Sequence, residues 1–146
     1  MPATATRRRK RSSETLPRKT DQQKARAMQI YEALLKCYPD AHCELNYSNP
    51  HELLVATILS AQATDVGVNK ATPALFARSP APAEYAKATA QQIEPYVKSL
   101  GFFRQKSKSV HTAMSKVAND FGGQVPRTMD ELLTLRGVAR KTANVV

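Results

Sequence analysis

The chain has few cysteines, few acidic residues and no long apolar run. Its two cysteines, Cys37 and Cys43, are too few and wrongly spaced for a disulfide framework or a zinc site. No stretch approaches the roughly 20 apolar residues of a membrane span, and the N-terminus lacks the apolar core of a secretory signal. We therefore expect reduced thiols, no membrane partner and a location in the cytosol.

Positive charge is what the chain has in excess. Its 146 residues carry 22 Lys and Arg against 12 Asp and Glu, a formal net charge of +10. A hydrophobic content of 42% excludes a wholly disordered chain, and the length indicates one domain of ordinary size. The charge makes a polyanion a plausible partner but leaves DNA, RNA and anionic lipid open.

Much of this charge lies in residues 1–20, which hold seven basic residues and one acid. The segment has almost no large apolar side chains, so burial cannot offset the entropy lost on ordering. We predict a disordered basic tail that binds nucleic acid by counterion release. A solubilising tail and an organelle transit peptide remain open as alternatives.

The remainder predicts short helices with capped starts and no strand, so the fold class is all-α. The first helix begins at Asp21 and stops at Pro39, and Asn49-Pro50-His51-Glu52 opens a second, buried helix over Leu53–Ala61. Thr64 or Asp65 caps a third, with a kink or break expected near Pro73. Asp65 is interpreted as an N-cap rather than a catalytic acid.

Further along, the pattern predicts a linker and three more helices. The linker is Ser79-Pro80-Ala81-Pro82, and Thr89 with Gln92 opens a helix that ends at Gly101. Val110, Met114, Val117 and Phe121 mark one face of a longer helix that Gly122-Gly123 closes, and Thr128 with Glu131 caps a short last one.

The most informative segment joins two helices through a tight turn at Leu135-Arg136-Gly137-Val138-Ala139-Arg140-Lys141-Thr142-Ala143. Gly137 permits the sharp turn, Val138 can point inward as an anchor, and Ala139 leaves the backbone bare. The N–H groups of the turn and of the next helix then form an anion site. Such a turn holds DNA by its backbone without contacting bases.

This segment resembles the helix-hairpin-helix of endonuclease III, a family of bifunctional DNA glycosylases and AP lyases. Leu59-Ser60-Ala61-Gln62-Ala63-Thr64-Asp65 is similar to a second signature of that family, and Glu44–Tyr47 and Gly122–Pro126 match in order and spacing. The resemblance covers residues 21–146. It implies an N-terminal helix at 21–43 and an incomplete six-helix barrel at 44–146, truncated in its last helix, with the hairpin at 129–146. The chain departs from the family pattern at Arg136, which replaces Pro, and at Ala139, which replaces Gly and would be strained at positive φ.

The resemblance also implies roles for individual residues. Lys141 matches the catalytic lysine, which must be a neutral amine to attack the sugar C1′. Gln62 matches the residue that fills the gap left by a flipped base. Residues 137–140 (Gly137, Val138, Ala139 and Arg140) match the DNA-binding turn. The alternatives are a phosphate-contacting lysine at 141 and a helix-capping amide at 62.

Other polar residues carry weaker predictions. Four basic residues lie on either side of Gly101-Phe102-Phe103, namely Lys98, Arg104, Lys106 and Lys108. Together with Gly101 they are interpreted either as a phosphate track or as a solvated helix face. His42, His51 and His111 are assigned no role. Cys37 and Cys43 do not match the family's cluster cysteines.

In the family, a catalytic aspartate follows the hairpin and four cysteines farther on hold a [4Fe–4S] cluster. Neither feature occurs in these 146 residues, which end in an apolar helical pattern. We therefore expect an inactive fragment whose N-terminal helix exposes the apolar face that would pack with the missing part.

The resemblance implies base excision repair by a monomer of the bacterial cytosol, associated with the nucleoid. The expected enzyme removes oxidised pyrimidines from double-stranded DNA and cleaves the abasic site by β-elimination. The alternative is a non-catalytic helix-hairpin-helix module that binds DNA, in which Lys141 and Gln62 would be incidental.

Overall fold

A computed structural model describes residues 17–146, and most of the basic tail predicted at 1–20 lies outside this range. The described residues form helices and no strand, which confirms the all-α prediction. The helices are α1 (Asp21–Cys37), α2 (Pro50–Leu59), α3 (Asp65–Arg78), α4 (Pro82–Lys87), α5 (Ala90–Val97), α6 (Phe103–Asp120), α7 (Met129–Leu132) and α8 (Arg140–Ala143). None of those helices is both long and apolar enough to cross a bilayer.

The chain divides into two compact units, Met1–His42 and Cys43–Val146. In the first unit, Thr20 caps α1 in a reciprocal capping box with Gln23, so Thr20 belongs to the helix and not to the predicted tail. No residue of α1 is buried, and its large apolar side chains are about half exposed. These side chains are Met28, Ile30, Tyr31, Leu34 and Leu35, and Tyr38, which follows the helix, is exposed as well.

The core of the second unit is built around α2. Asn49 accepts a hydrogen bond from the Glu52 N–H at 3.0 Å and Pro50 occupies the first turn, so the helix begins where the sequence predicts. Every residue from Leu53 to Leu59 is buried. α6 packs against α2, α4 and α5, and its own buried stripe includes Val110, Met114 and Val117. Together α2 and α6 support the turn at Gly137, which lies against Ile58 of α2 and Ser109 of α6.

Two local predictions are wrong, and one alternative of a third is excluded. α3 continues through Pro73 without a break, because Pro73 lies on the exposed side while Ala71, Thr72 and Leu75 hold the helix in the core. The cap of α3 is Thr64, whose hydroxyl accepts from the Gly67 N–H at 3.1 Å.

The two wrong predictions concern Asp65 and the end of α5. Asp65 is the first residue of α3 and not its N-cap, since Thr64 already occupies that position. α5 ends at Val97, before the predicted stop at Gly101, and the chain then turns through Lys98 with the Leu100 N–H bonded to the Val97 carbonyl at 2.9 Å.

Candidate nucleic-acid interface

The hairpin between α7 and α8 is seated on α2 and α6. Leu135 and Val138 are buried in the core, and the Val138 N–H donates to the Leu135 carbonyl at 3.2 Å to close the turn. Gly137 has a φ of +82°, and a Cβ there would lie 3.0 Å from Ser109 Cβ and 3.3 Å from Ile58 Cγ2. A side chain at position 137 would therefore be strained, and its Cβ would require the neighbouring atoms to shift by a few tenths of an ångström.

The first backbone N–H groups of α8 have no acceptor within the helix itself. Ala139 is its N-cap, with a φ of −100° and no side-chain hydrogen bond. Because this φ is negative, the strain expected at Ala139 is absent, and the departure from glycine costs nothing there. Arg140 and Lys141 are the first two residues of α8, and both side chains are exposed beside the free N–H groups.

Gln62 lies in the turn that joins α2 to α3. Its φ of 52° is a left-handed conformation that few residues other than glycine adopt, and its side chain is exposed. Within residues 17–146 the Gln62 amide makes no hydrogen bond, so it does not cap the last carbonyls of α2. The Ala63 N–H donates to the Ser60 carbonyl at 3.1 Å and fixes the turn that projects Gln62 outward.

Phe102 is a site residue to which the sequence analysis gave no role. It precedes α6 with a φ of 57°, and its ring is 71% exposed. Gln62 and Phe102 are the described non-glycine residues with positive φ. Backbone outliers of this kind cluster at functional sites, and only the exposure and the φ of Phe102 reveal this one.

One cavity of about 260 Å³ brings these features together. It is lined by Ile58, Ala61, Gln62, Phe102, Gln105, Lys106, Ser109 and Gly137. The two sequence signatures therefore meet in space, with the amide of the first and the tight turn of the second on the same concave surface. Lys141 is not among the lining residues.

Lys106 departs from its predicted environment. Its side chain was interpreted as part of a phosphate track or of a solvated face, but the residue is only 6% exposed. Lys98, Arg104 and Lys108 are exposed as a solvated face would require, and the Arg104 guanidinium lies over the Phe103 ring at 5.3 Å. Lys106 is buried because it shares a face of α6 with Val110, four residues later.

The histidines have structural surroundings. His111 Nε2 lies 2.9 Å from the Ala88 carbonyl and links α6 to the end of α4. Burial lowers the pKa of His51, against the smaller opposing effects of Glu52 and of a hydrogen bond to the Pro80 backbone. His42 Nδ1 lies 2.7 Å from the Asp40 carbonyl.

The residues present do not fit an iron–sulfur cluster. A [4Fe–4S] cluster needs four thiolates, whereas this chain has only Cys37 and Cys43, both exposed and unpaired. Among residues 17–146, no three His, Cys, Asp or Glu side chains are grouped to hold a metal ion.

Sequence comparisons agree with this geometry. Endonuclease III of Synechocystis sp. is 54% identical over 132 residues, which make up 90% of this chain and 60% of that protein. Endonuclease III of Bacillus subtilis is 46% identical over 109 residues, or 75% of this chain and 50% of that protein. The chain thus spans about 60% or less of the length of these relatives.

Solved structures give the same result. The chain superposes on a non-covalent endonuclease III–DNA complex with a TM-score of 0.75 and 41% identity, covering 84% of this chain and 57% of that one. A trapped endonuclease III–DNA covalent intermediate matches equally well. The resemblance to endonuclease III is therefore confirmed, and so is the helix-hairpin-helix glycosylase fold. Since the sequence profile described as "HhH-GPD superfamily base excision DNA repair protein" matches residues 55–145, the chain belongs to that superfamily.

Proposed function

We propose that the protein is a bifunctional DNA glycosylase and AP lyase that removes oxidised pyrimidines from double-stranded DNA. The observation that carries the proposal is the cavity on which the Gln62 turn and the Gly137 turn converge, because duplex binding and base extrusion need both features at one place. The relatives that match are bacterial endonuclease III proteins, which supports a DNA repair enzyme of the bacterial cytosol. Association with the nucleoid is part of the proposal, since DNA is the expected substrate.

The hairpin is the proposed phosphate clamp. Gly137 allows close approach of the backbone, buried Val138 anchors the turn, and Ala139 leaves the first N–H groups of α8 uncovered. Arg140 adds a positive charge at the same point. Because these contacts are to phosphates, binding should be independent of sequence and should weaken steeply with salt.

Gln62 is the proposed wedge that enters the duplex and bonds the base left without a partner. The exposed amide has no internal hydrogen bond to break among residues 17–146, and its backbone is already held in the projecting conformation. Phe102, at the rim of the same cavity, is proposed to stack on an adjacent base pair and to help open the step.

Lys141 is the proposed nucleophile. Its neutral Nζ attacks C1′ of the damaged nucleotide as the C1′–N bond breaks, and the departing base takes one of the nitrogen's protons. The nitrogen lone pair then forms a protonated imine while the C1′–O4′ bond breaks and O4′ takes a proton from water. Loss of a C2′ proton to water forms the C2′=C3′ bond and breaks the C3′–O bond, so the 3′ phosphate leaves by β-elimination. The second-residue position in α8 leaves the side chain exposed, as an attack on an extruded nucleotide requires.

Borohydride trapping tests this assignment. The protein expressed from its own gene should form a covalent adduct with abasic duplex DNA, and Lys141→Ala should abolish the adduct. Lys141→Arg should also fail, because a guanidinium stays protonated and cannot form the imine. The matched control is Lys70→Ala, another exposed lysine, which should trap normally. Trapping that persists in Lys141→Ala would refute the nucleophile, and DNA binding without any trapping would favour a non-catalytic module.

Two further measurements test the wedge and the tail. Gln62→Ala should slow removal of a damaged base more than cleavage of a pre-formed abasic site, which has no base to extrude. Equal losses on both substrates would refute the wedge. Deleting residues 1–20 should make the plot of log K against log salt shallower, since that segment carries seven basic residues. An unchanged slope would mean that the tail does not touch DNA.

A further inference from the structure

Lys106 is a buried cation for which the described part of the protein provides no partner. The residue is 6% exposed, and its Nζ atom is buried without a hydrogen bond to any residue in the range 17–146. An ammonium group removed from water and left unpaired opposes folding. Burial lowers the pKa of this amine, as expected for a group that has lost water and gained no counter-charge.

The position of Lys106 connects it to the proposed DNA surface. It lines the 260 Å³ cavity together with Gln62 of the turn between α2 and α3 and Gly137 of the hairpin. The remaining lining groups are neutral: Gln105 and Ser109 are polar, Ile58 and Ala61 are apolar, and Phe102 is aromatic. The amine is therefore the one charged group among the residues that line this cavity.

The other cations of α6 are in different surroundings. Lys108 is exposed, and Arg104 lies over the Phe103 ring. Lys106 has a flexible stem of four methylene groups, so its ammonium can turn into the cavity by rotation about the terminal bonds. An ammonium offers three donors and no acceptor, and its strongest partner is an oxyanion.

We propose that Lys106 binds a backbone phosphate of the DNA strand that passes between the Gln62 turn and the Gly137 hairpin, and so acts as a second phosphate clamp beside the hairpin. This inference rests on the proposed DNA-binding function of the site. A phosphodiester is favoured over a base edge because only the phosphate carries a negative charge that can compensate the buried ammonium. In the protein without DNA the amine has no phosphate partner, and its burial lowers the free energy of unfolding.

The first test compares Lys106→Met with Lys87→Met. Methionine keeps the length of the lysine stem and removes the charge, while Lys87 is an exposed lysine of α4 that does not line the cavity. The probe is a duplex with an uncleavable abasic analogue. Lys106→Met should weaken binding about tenfold or more and reduce the salt slope by about one, whereas Lys87→Met should change neither appreciably.

Stability separates this role from a structural one. Lys106→Met should raise the denaturation midpoint because it removes an unpaired buried charge, while it weakens DNA binding. If Lys106→Met instead lowers the midpoint, the amine has a partner within the protein and the proposal is wrong. If binding is unchanged, the amine does not contact DNA and the proposal is equally wrong.

The decisive test neutralises phosphates one at a time with methylphosphonate linkages around the abasic analogue. At one position, neutralising the phosphate should weaken DNA binding by the wild-type protein but should not weaken binding by Lys106→Met any further. That result identifies this phosphate as the ligand of Lys106. Losses that add independently at every position would overturn the phosphate assignment. These measurements report binding to an uncleavable analogue and need no covalent step, whereas borohydride trapping by the wild-type protein reports Lys141, so failure of the proposed nucleophile is recognised separately from failure of this clamp.

Discussion

Comparison of the hairpin glycine with two glycines outside the hairpin allows backbone strain and steric contact to be measured separately. Gly101 has no positive φ and open space around it, Gly122 has a φ of +60° with open space, and Gly137 has a φ of +82° with Ser109 and Ile58 against it. Alanine should therefore add no unfavourable energy at position 101, backbone strain alone at position 122, and backbone strain together with overpacking at position 137. The series probes how firmly the hairpin is seated on α2 and α6.

The magnitudes follow from these surroundings. Gly101→Ala should change the free energy of unfolding by less than about 0.5 kcal/mol, and Gly122→Ala should lower it by about 1–2 kcal/mol for the left-handed backbone. Gly137→Ala carries the same strain and adds about 1–3 kcal/mol, because its Cβ would lie 3.0 Å from Ser109 Cβ. Urea denaturation at equilibrium measures all three.

The contact with Ser109 can be checked by a second substitution. The nearest atom to a new Cβ at position 137 is Ser109 Cβ, so Ser109→Gly should recover part of the loss in Gly137→Ala, whereas Ser109→Ala should not. DNA affinity should fall with Gly137→Ala and remain near wild type with Gly122→Ala. Equal destabilisation by Gly122→Ala and Gly137→Ala would refute the close seating of the hairpin.

Four other predictions concern single side chains. Asn49→Ala should cost about 1 kcal/mol in urea denaturation, because the Glu52 N–H loses its acceptor; no change would refute the cap. Tyr85→Phe should raise the free energy of unfolding by up to about 1 kcal/mol, since the buried hydroxyl has no partner within residues 17–146, and a clear loss would reveal one. Burial lowers the pKa of His51 in the folded state, so the unfolded chain binds the proton first; stability should fall as pH drops from about 6.5 through the lowered value, and His51→Gln should flatten this slope in pH-dependent denaturation unless another group causes it. Gln62→Gly should raise the free energy of unfolding by about 1 kcal/mol by relieving its φ of 52°, and an equal gain from Gln62→Ala would argue against strain.

The helix starts could be predicted from sequence because each depends on residues close together in the chain. Asn49 and Thr89 accept the N–H groups that their spacing predicts, and Thr128 does the same for α7. α4 was missed for a related reason. It has only six residues and no side-chain cap, and it is held in place by the fully buried Tyr85, a contact that no local pattern contains.

The turn of the hairpin was predictable for a different reason. Gly137 is the residue that a left-handed turn demands, so its φ of +82° follows from the residue type. The left-handed conformations of Gln62 and Phe102 do not follow in this way, since neither residue prefers them and tertiary packing imposes them. Lys106 was the one assignment that the helical period could have corrected, because it lies four residues before buried Val110.

Features that oppose stability gather at one cavity, and this concentration itself supports a binding role. Gln62 and Phe102 hold unfavourable backbone conformations, and the buried Lys106 amine has no partner within residues 17–146, yet all three residues line the same 260 Å³ cavity. Each feature costs on the order of 1 kcal/mol or more, in a protein whose net stability is only several times that amount. The fold offsets these costs elsewhere, through the fully packed stretch of α2 and the buried stripe of α6. A DNA duplex would supply what the free protein lacks at this cavity: bases for the projecting amide and ring, and a phosphate for the amine.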